Sequence, residues 1–102
     1  MIYFLEKKRM FEEIIRDLRL NRGLSQVELA KELFVTKQCV SNWENGNIIP
    51  SVDMLIKISK FFSVSTDYLL GLDKRRYIET TGLSETQITH IQQIVDDILG
   101  KK

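Results

Sequence analysis

Residues 25–46, SQVELAKELFVTKQCVSNWENG, constrain the fold more than any other stretch of this chain. Two helix-length blocks, Gln26–Leu33 and Lys37–Glu44, flank a connection too short to be anything but a tight turn. At about 100° per residue, the second block separates its residues by chemistry. With Lys37 at zero, Ser41 lies near 40°, Gln38 near 100° and Asn42 near 140°. Cys39, Trp43, Val40 and Glu44 fall between roughly 200° and 340°. One edge carries hydrogen-bonding side chains and the other mostly apolar ones, the pattern of a helix with one side in a core. Thr36 precedes the block and can accept from a backbone N–H in its first turn. The first block opens with Ser25 and Glu28, a capping-box pair. Its expected inward residues are Val27, Ala30 and Leu33, with Leu29 beside them. Ala30 is small where a crossing helix must come close, and Val40 is the expected opposing surface.

The rest of the chain also reads as helices. A first helix is expected from Glu6 to Asn21, with Phe11, Ile14, Ile15 and Leu18 as its stripe and Gly23 as its stop. A fourth follows Ser51 to about Phe62, with Val52, Leu55, Ile58 and Phe62 inward. A short fifth lies between Ser65 and Gly71. Residues 73–83 read as a linker. Ser84 and Gln87 make another capping-box pattern before a last helix to Leu99, closed by Gly100. In that helix Ile88, Ile91, Val95 and Ile98 recur at a/d spacing, flanked by Ile94 and Leu99. A helix this short is marginal alone in water and needs a partner surface. Either it folds back on its own domain or it pairs with a second copy; the repeated seam beyond a polar linker favours the homodimer.

Composition excludes several classes. No apolar run can span a bilayer, so no membrane role is expected. The N-terminal Met-Ile-Tyr-Phe-Leu is too short for a signal peptide and is followed at once by charge. A single cysteine, Cys39, precludes an internal disulfide and fits a cytoplasmic protein. With one histidine, His90, there is no Cys/His cluster for zinc, and no cofactor is implied. Neither paired carboxylates, a nucleophile–base arrangement nor a glycine-rich phosphate loop is recognisable, so an enzyme is not expected. The net charge of +1 provides no global attraction for phosphate. From Tyr77 onward four acids face two lysines, which puts the acidic bias in the tail. Contacts to phosphate would come from local basic residues and helix N-termini.

The segments L-S-Q-x-E-L-A at 24–30, V-T-K-Q-x-V-S-x-W-E-N-G at 35–46, P-S at 50–51 and V-S-T-D-Y-L-L-G at 64–71 appear in order. Together they resemble the helix-turn-helix of the phage repressor (Cro/C1-type) and Xre family of bacterial regulators, over about Phe11 to Leu72. The resemblance implies an all-α chain with a five-helix, lambda-repressor-like DNA-binding domain over 1–72; the residue pattern adds the linker over 73–83 and a C-terminal helix over 84–102 as dimerisation element. It implies a sequence-specific regulator of bacterial or prophage origin, most simply a repressor, binding double-stranded DNA as a homodimer. Lys37, Gln38, Ser41 and Asn42 would read bases; the carboxamides of Gln38 and Asn42 suit adenine N6 and N7. Without the resemblance, the same edge would be read as merely solvated. Ser25, Gln26, Thr36 and Asn45 would meet phosphates, although Ser25 is equally explained as a cap. Arg19 and Glu44 would pair across two helices and, with Ala30, Val40 and Trp43, hold the recognition helix. Ile88, Ile91, Val95 and Ile98 would dimerise. The alternative is an interaction module whose last helix binds a protein antagonist. Cys39 reads as a half-buried filler with a redox role as the rarer option, and His90 as a solvated flank.

One position departs from the family pattern. Phe34 stands where the turn residue is commonly glycine. A positive φ there would cost about 1–2 kcal/mol, so either the turn differs or Phe34 gains burial that offsets the strain.

Overall fold

The computed structural model describes residues 9–100, and among them every regular element is helical. The helices are α1 (Phe11–Asn21), α2 (Gln26–Leu33), α3 (Lys37–Glu44), α4 (Val52–Phe62), α5 (Thr66–Leu69) and α6 (Glu85–Ile98). This is the all-α, five-helix arrangement with an added C-terminal helix. The five serine and threonine N-terminal caps expected from sequence form: Ser25, Thr36, Ser51, Ser65 and Ser84 each accept from the backbone N–H three residues on. Both capping boxes close, Ser25 with Glu28 and Ser84 with Gln87.

The five helices of the N-terminal domain end alike. An N–H reaches back five residues and the preceding N–H reaches back three, as in Leu24 to Arg19 O at 3.1 Å with Gly23 to Leu20 O at 2.9 Å. The pattern repeats after α2, α3, α4 and α5. It requires a positive φ at the turning residue, supplied by Gly23, Phe34, Gly46, Ser63 and Gly71. At Phe34 φ is +57°, and Val35 donates to Ala30 O at 2.9 Å. The turn therefore takes the left-handed conformation that glycine adopts most easily, built here without a glycine. Burial does not offset the strain: Phe34 is 86% exposed. What it touches instead is Lys57, whose ammonium lies 4.7 Å from the ring centroid while donating to Leu33 O at 2.6 Å.

The core is assembled from Phe11, Ile14, Ile15 and Leu18 of α1, Leu29, Ala30 and Leu33 of α2, Val40 and Trp43 of α3, Leu55, Ile58 and Phe62 of α4, and Leu69 of α5. Helix α3 packs on both α1 and α2, and α5 joins α4 to α1. Three expectations need correction. The first helix starts at Phe11, with Met10 as an extended N-cap; the expected start at Glu6 lies outside the described residues. Val27 is 45% exposed, because the buried arc of α2 is centred between Leu33 and Ala30 and Val27 sits on its shoulder. Val52 is 71% exposed, since Leu55, Ile58 and Phe62 define a stripe that turns about 80° away from it, toward half-buried Met54 and Phe61.

Helix α6 stands apart from this core. None of its residues is buried, and no core residue lies beyond Leu69. The Cα radius of gyration, 16.4 Å, exceeds the roughly 13 Å of a fully packed chain of this length. Among the described residues no helix is long and apolar enough to cross a membrane.

Candidate nucleic-acid interface

The position of α3 is fixed from its inner edge. Val40 is fully buried, Trp43 is 5% exposed, and Ala30 lets α2 approach closely. Below Trp43 lies an ionic anchor. Glu44 is 2% exposed and accepts from Arg19 Nε at 2.6 Å and Arg19 Nη2 at 2.8 Å, a bidentate pair. Arg19 also donates to Leu24 O at 2.8 Å. The remaining acceptor capacity of Glu44 is taken by Gln26 Nε2 at 3.2 Å, with Arg16 Nε at 3.6 Å. Arg16 Nη2 in turn donates to the backbone carbonyl of Glu44 at 2.7 Å, in the last turn of α3. The anchor thus ties α1, the start of α2 and the end of α3 together, and no buried side-chain polar atom among the described residues lacks a partner.

Burial by itself pushes the Glu44 carboxyl up. The hydrogen bonds from Arg19 and Gln26 and the charges of Arg19 and Arg16 reverse this and hold it below the usual carboxylate range. Arg19 is shifted upward, first by its hydrogen bond to Glu44. Glu28 is lowered by the Ser25 N–H and hydroxyl, so the capping box of α2 is charged.

The outer edge of α3 presents the polar set. Lys37 and Gln38 are exposed, and Ser41 and Asn42 are half-buried. Gln38 Nε2 donates to Asn42 Oδ1 at 3.0 Å, and Asn45 Nδ2 donates to Ser41 Oγ at 3.3 Å. Thr36 sits at the entry of the helix, accepting from Cys39 N and donating to Cys39 Sγ at 3.3 Å. Ser25 and Asn45 are exposed, while Gln26 is half-buried because its amide is engaged by Glu44. Lys37, Gln38, Ser41 and Asn42 therefore share one surface, with Thr36 and Asn45 at its two ends. Cys39 is half-buried against the core and His90 is exposed.

Two contributors were missed from sequence. Arg16 is one, although its spacing of three from Arg19 could have placed it on the adjoining edge of α1. Lys57 is the other; it lies 23 positions from Phe34, and no local pattern announces the contact.

An edge of amides, a hydroxyl and an ammonium on a helix held rigidly from behind can enter the major groove and hydrogen-bond base edges. Comparison with known proteins agrees with this geometry. The helix-turn-helix family profile matches residues 15–69, which contain α2, α3 and all of α4 and α5. The HTH-type transcriptional activator BcrR of Enterococcus faecalis is 36% identical over 91 residues, covering 88% of this chain but only 42% of that protein's own length. The P22 c2 repressor, solved in complex with a synthetic operator, is 32% identical with a TM-score of 0.60, covering 64% of this chain and 98% of the repressor chain. The SinR protein, solved in complex with the SinI protein, gives a TM-score of 0.58 at 25% identity, covering 90% of this chain and 100% of that one. By the extent of the profile match, the fold and these likenesses, this chain belongs to the Cro/C1-type (Xre) helix-turn-helix family of DNA-binding transcriptional regulators, a family without enzymatic activity.

Proposed function

We propose that the chain binds double-stranded DNA sequence-specifically in the cytoplasm as a homodimer, one α3 in each of two successive major grooves. The observation that carries this is the outer edge of α3: Lys37, Gln38, Ser41 and Asn42 gathered on one surface while Trp43 and Glu44 are buried behind them. Base readout falls to those four residues. Phosphate contact falls to Ser25, Gln26, Thr36 and Asn45, which surround the helix ends. Gln26 then has to serve both Glu44 and a phosphate, donating one N–H of its carboxamide to each.

In this reading 1–72 is the DNA-binding unit, 73–83 the linker and 84–102 the dimerisation element. Ile88, Ile91 and Val95 of α6 are half-buried, and Ile98 is 78% exposed, as are Ile94 and Leu99 in large part. Such a stripe on a helix that joins no core calls for a second surface. Pairing two copies about a two-fold axis places half-sites roughly 34 Å apart on a near-palindromic operator. Occlusion of a promoter then gives repression. The relatives carry both signs of regulation in their names, activator and repressor, so a reporter downstream of the selected site decides the direction.

Selection of bound sites from a random DNA pool tests the reading. Enrichment of a two-fold sequence with half-sites one helical turn apart is expected; recovery of no sequence preference overturns it. A second reading, in which α6 binds a protein antagonist, draws on the same uncovered stripe and on the likeness to SinR, solved with a protein partner. A chain that sediments as a monomer favours that alternative.

A further inference from the structure

We infer that Asn42 acts on DNA mainly through Gln38: it is a positioning residue, and Gln38 alone reads adenine at that place. The inference rests on the proposed role of α3. A free carboxamide offers an acceptor and two N–H donors, and adenine is recognised by using both kinds together. In this structure Gln38 Nε2 donates to Asn42 Oδ1 at 3.0 Å. The two ends of that bond are left with different capacities. Gln38 keeps its Oε1 and one further N–H, an acceptor and a donor on one carboxamide, which is the combination needed to accept from adenine N6 and donate to N7. Asn42 has its oxygen occupied and retains only donors, so it cannot match adenine bidentately. Its free N–H groups suit an acceptor that carries no sequence information, such as a phosphate oxygen.

The exposures agree. Gln38 is exposed and has freedom to lose on binding, whereas Asn42 is half-buried and its side chain is shorter. A long amide side chain fixed before it meets the base saves a rotamer cost worth up to about tenfold in binding. The second such pair on the helix, Asn45 to Ser41 at 3.3 Å, joins a neighbouring position and leaves Gln38 to Asn42 alone.

The test compares selected sequences for the wild type, Gln38→Ala, Asn42→Ala, Asn42→Asp and the double alanine variant. Gln38→Ala is expected to erase the adenine preference at one base pair. Asn42→Ala should weaken the preference at that same base pair, by about three- to tenfold, and the double variant should look like Gln38→Ala. Asn42→Asp keeps an acceptor for Gln38, so adenine preference there should persist although overall binding falls through repulsion from phosphates. Loss of preference at a different base pair in Asn42→Ala, or losses that add in the double variant, would overturn the inference. A wild type that selects no sequence at all would instead overturn the proposed function beneath it.

Discussion

Glu44→Gln is the sharpest single perturbation of this fold. The substitution keeps the size of the side chain and removes one negative charge that is 2% exposed. Arg19, itself 9% exposed, then keeps its bond to Leu24 O but faces an amide that presents a donor to one of its two N–H groups. Breaking one partner of a buried, hydrogen-bonded ion pair costs about 3–5 kcal/mol. A domain of this size has roughly 5–15 kcal/mol of stability in total, so about a fifth or more would be lost. With a urea dependence of about 1.5 kcal/mol per molar, the unfolding midpoint should fall by roughly 2–3 M. The control is Asp17→Asn. Arg9 Nη2 and Asp17 Oδ2 are also 2.6 Å apart, but their side chains are 44% and 55% exposed, and such a pair contributes about 0–1 kcal/mol. Equal distance with unequal cost would identify burial as the deciding variable. Replacing both members, as in Arg19→Met with Glu44→Leu, should cost less than the two single changes added together. A midpoint shift below about 0.5 M for Glu44→Gln, or strict additivity in the cycle, would refute the reasoning. The acid limb gives a second check. Because the folded Glu44 titrates below its unfolded value of about 4.3, its contribution is fully present above that value and disappears as pH falls through the folded one. Wild-type stability should therefore drop more steeply below about pH 4.3 than that of Glu44→Gln.

Two further outcomes follow from the geometry. Phe34→Gly should keep the fold and raise stability by up to about 1 kcal/mol, because relief of the positive-φ strain exceeds the added unfolded-state entropy and the lost contact with Lys57; a drop in thermal midpoint would mean that the ring contributes packing its 86% exposure does not suggest. Val95→Asp should convert a sedimenting dimer to a monomer while leaving the helical signal of the N-terminal domain intact, and an unchanged dimer would remove α6 from the interface.

Most of the architecture was legible before any coordinates. Serine and threonine caps, glycine stops and apolar spacing are local signals, fixed within one or two turns of chain, and they located five of the helices well. They failed where a local signal was present but the partner was not. Val27 and Val52 are apolar residues at acceptable spacing, yet which arc of a helix is covered depends on where the neighbouring helix crosses it. Among the described residues Arg9 and Met10, expected inside the first helix, precede it, and Met10 is its extended N-cap. The edge of α3 was predicted from face arithmetic alone, and its four polar residues do share one surface.

The sequence by itself determined the helices, the separation of α3 into two edges and the apolar seam of α6, because periodicity and capping act over a few residues. Only the tertiary structure decided that Arg16 and Gln26 complete the Glu44 anchor and that Lys57 reaches back to the end of α2. It also decided that Phe34 turns the chain in the left-handed region while facing solvent. These depend on how helices distant in sequence cross. A buried charge or an orphaned carbonyl takes whichever donor the crossing brings within about 3 Å.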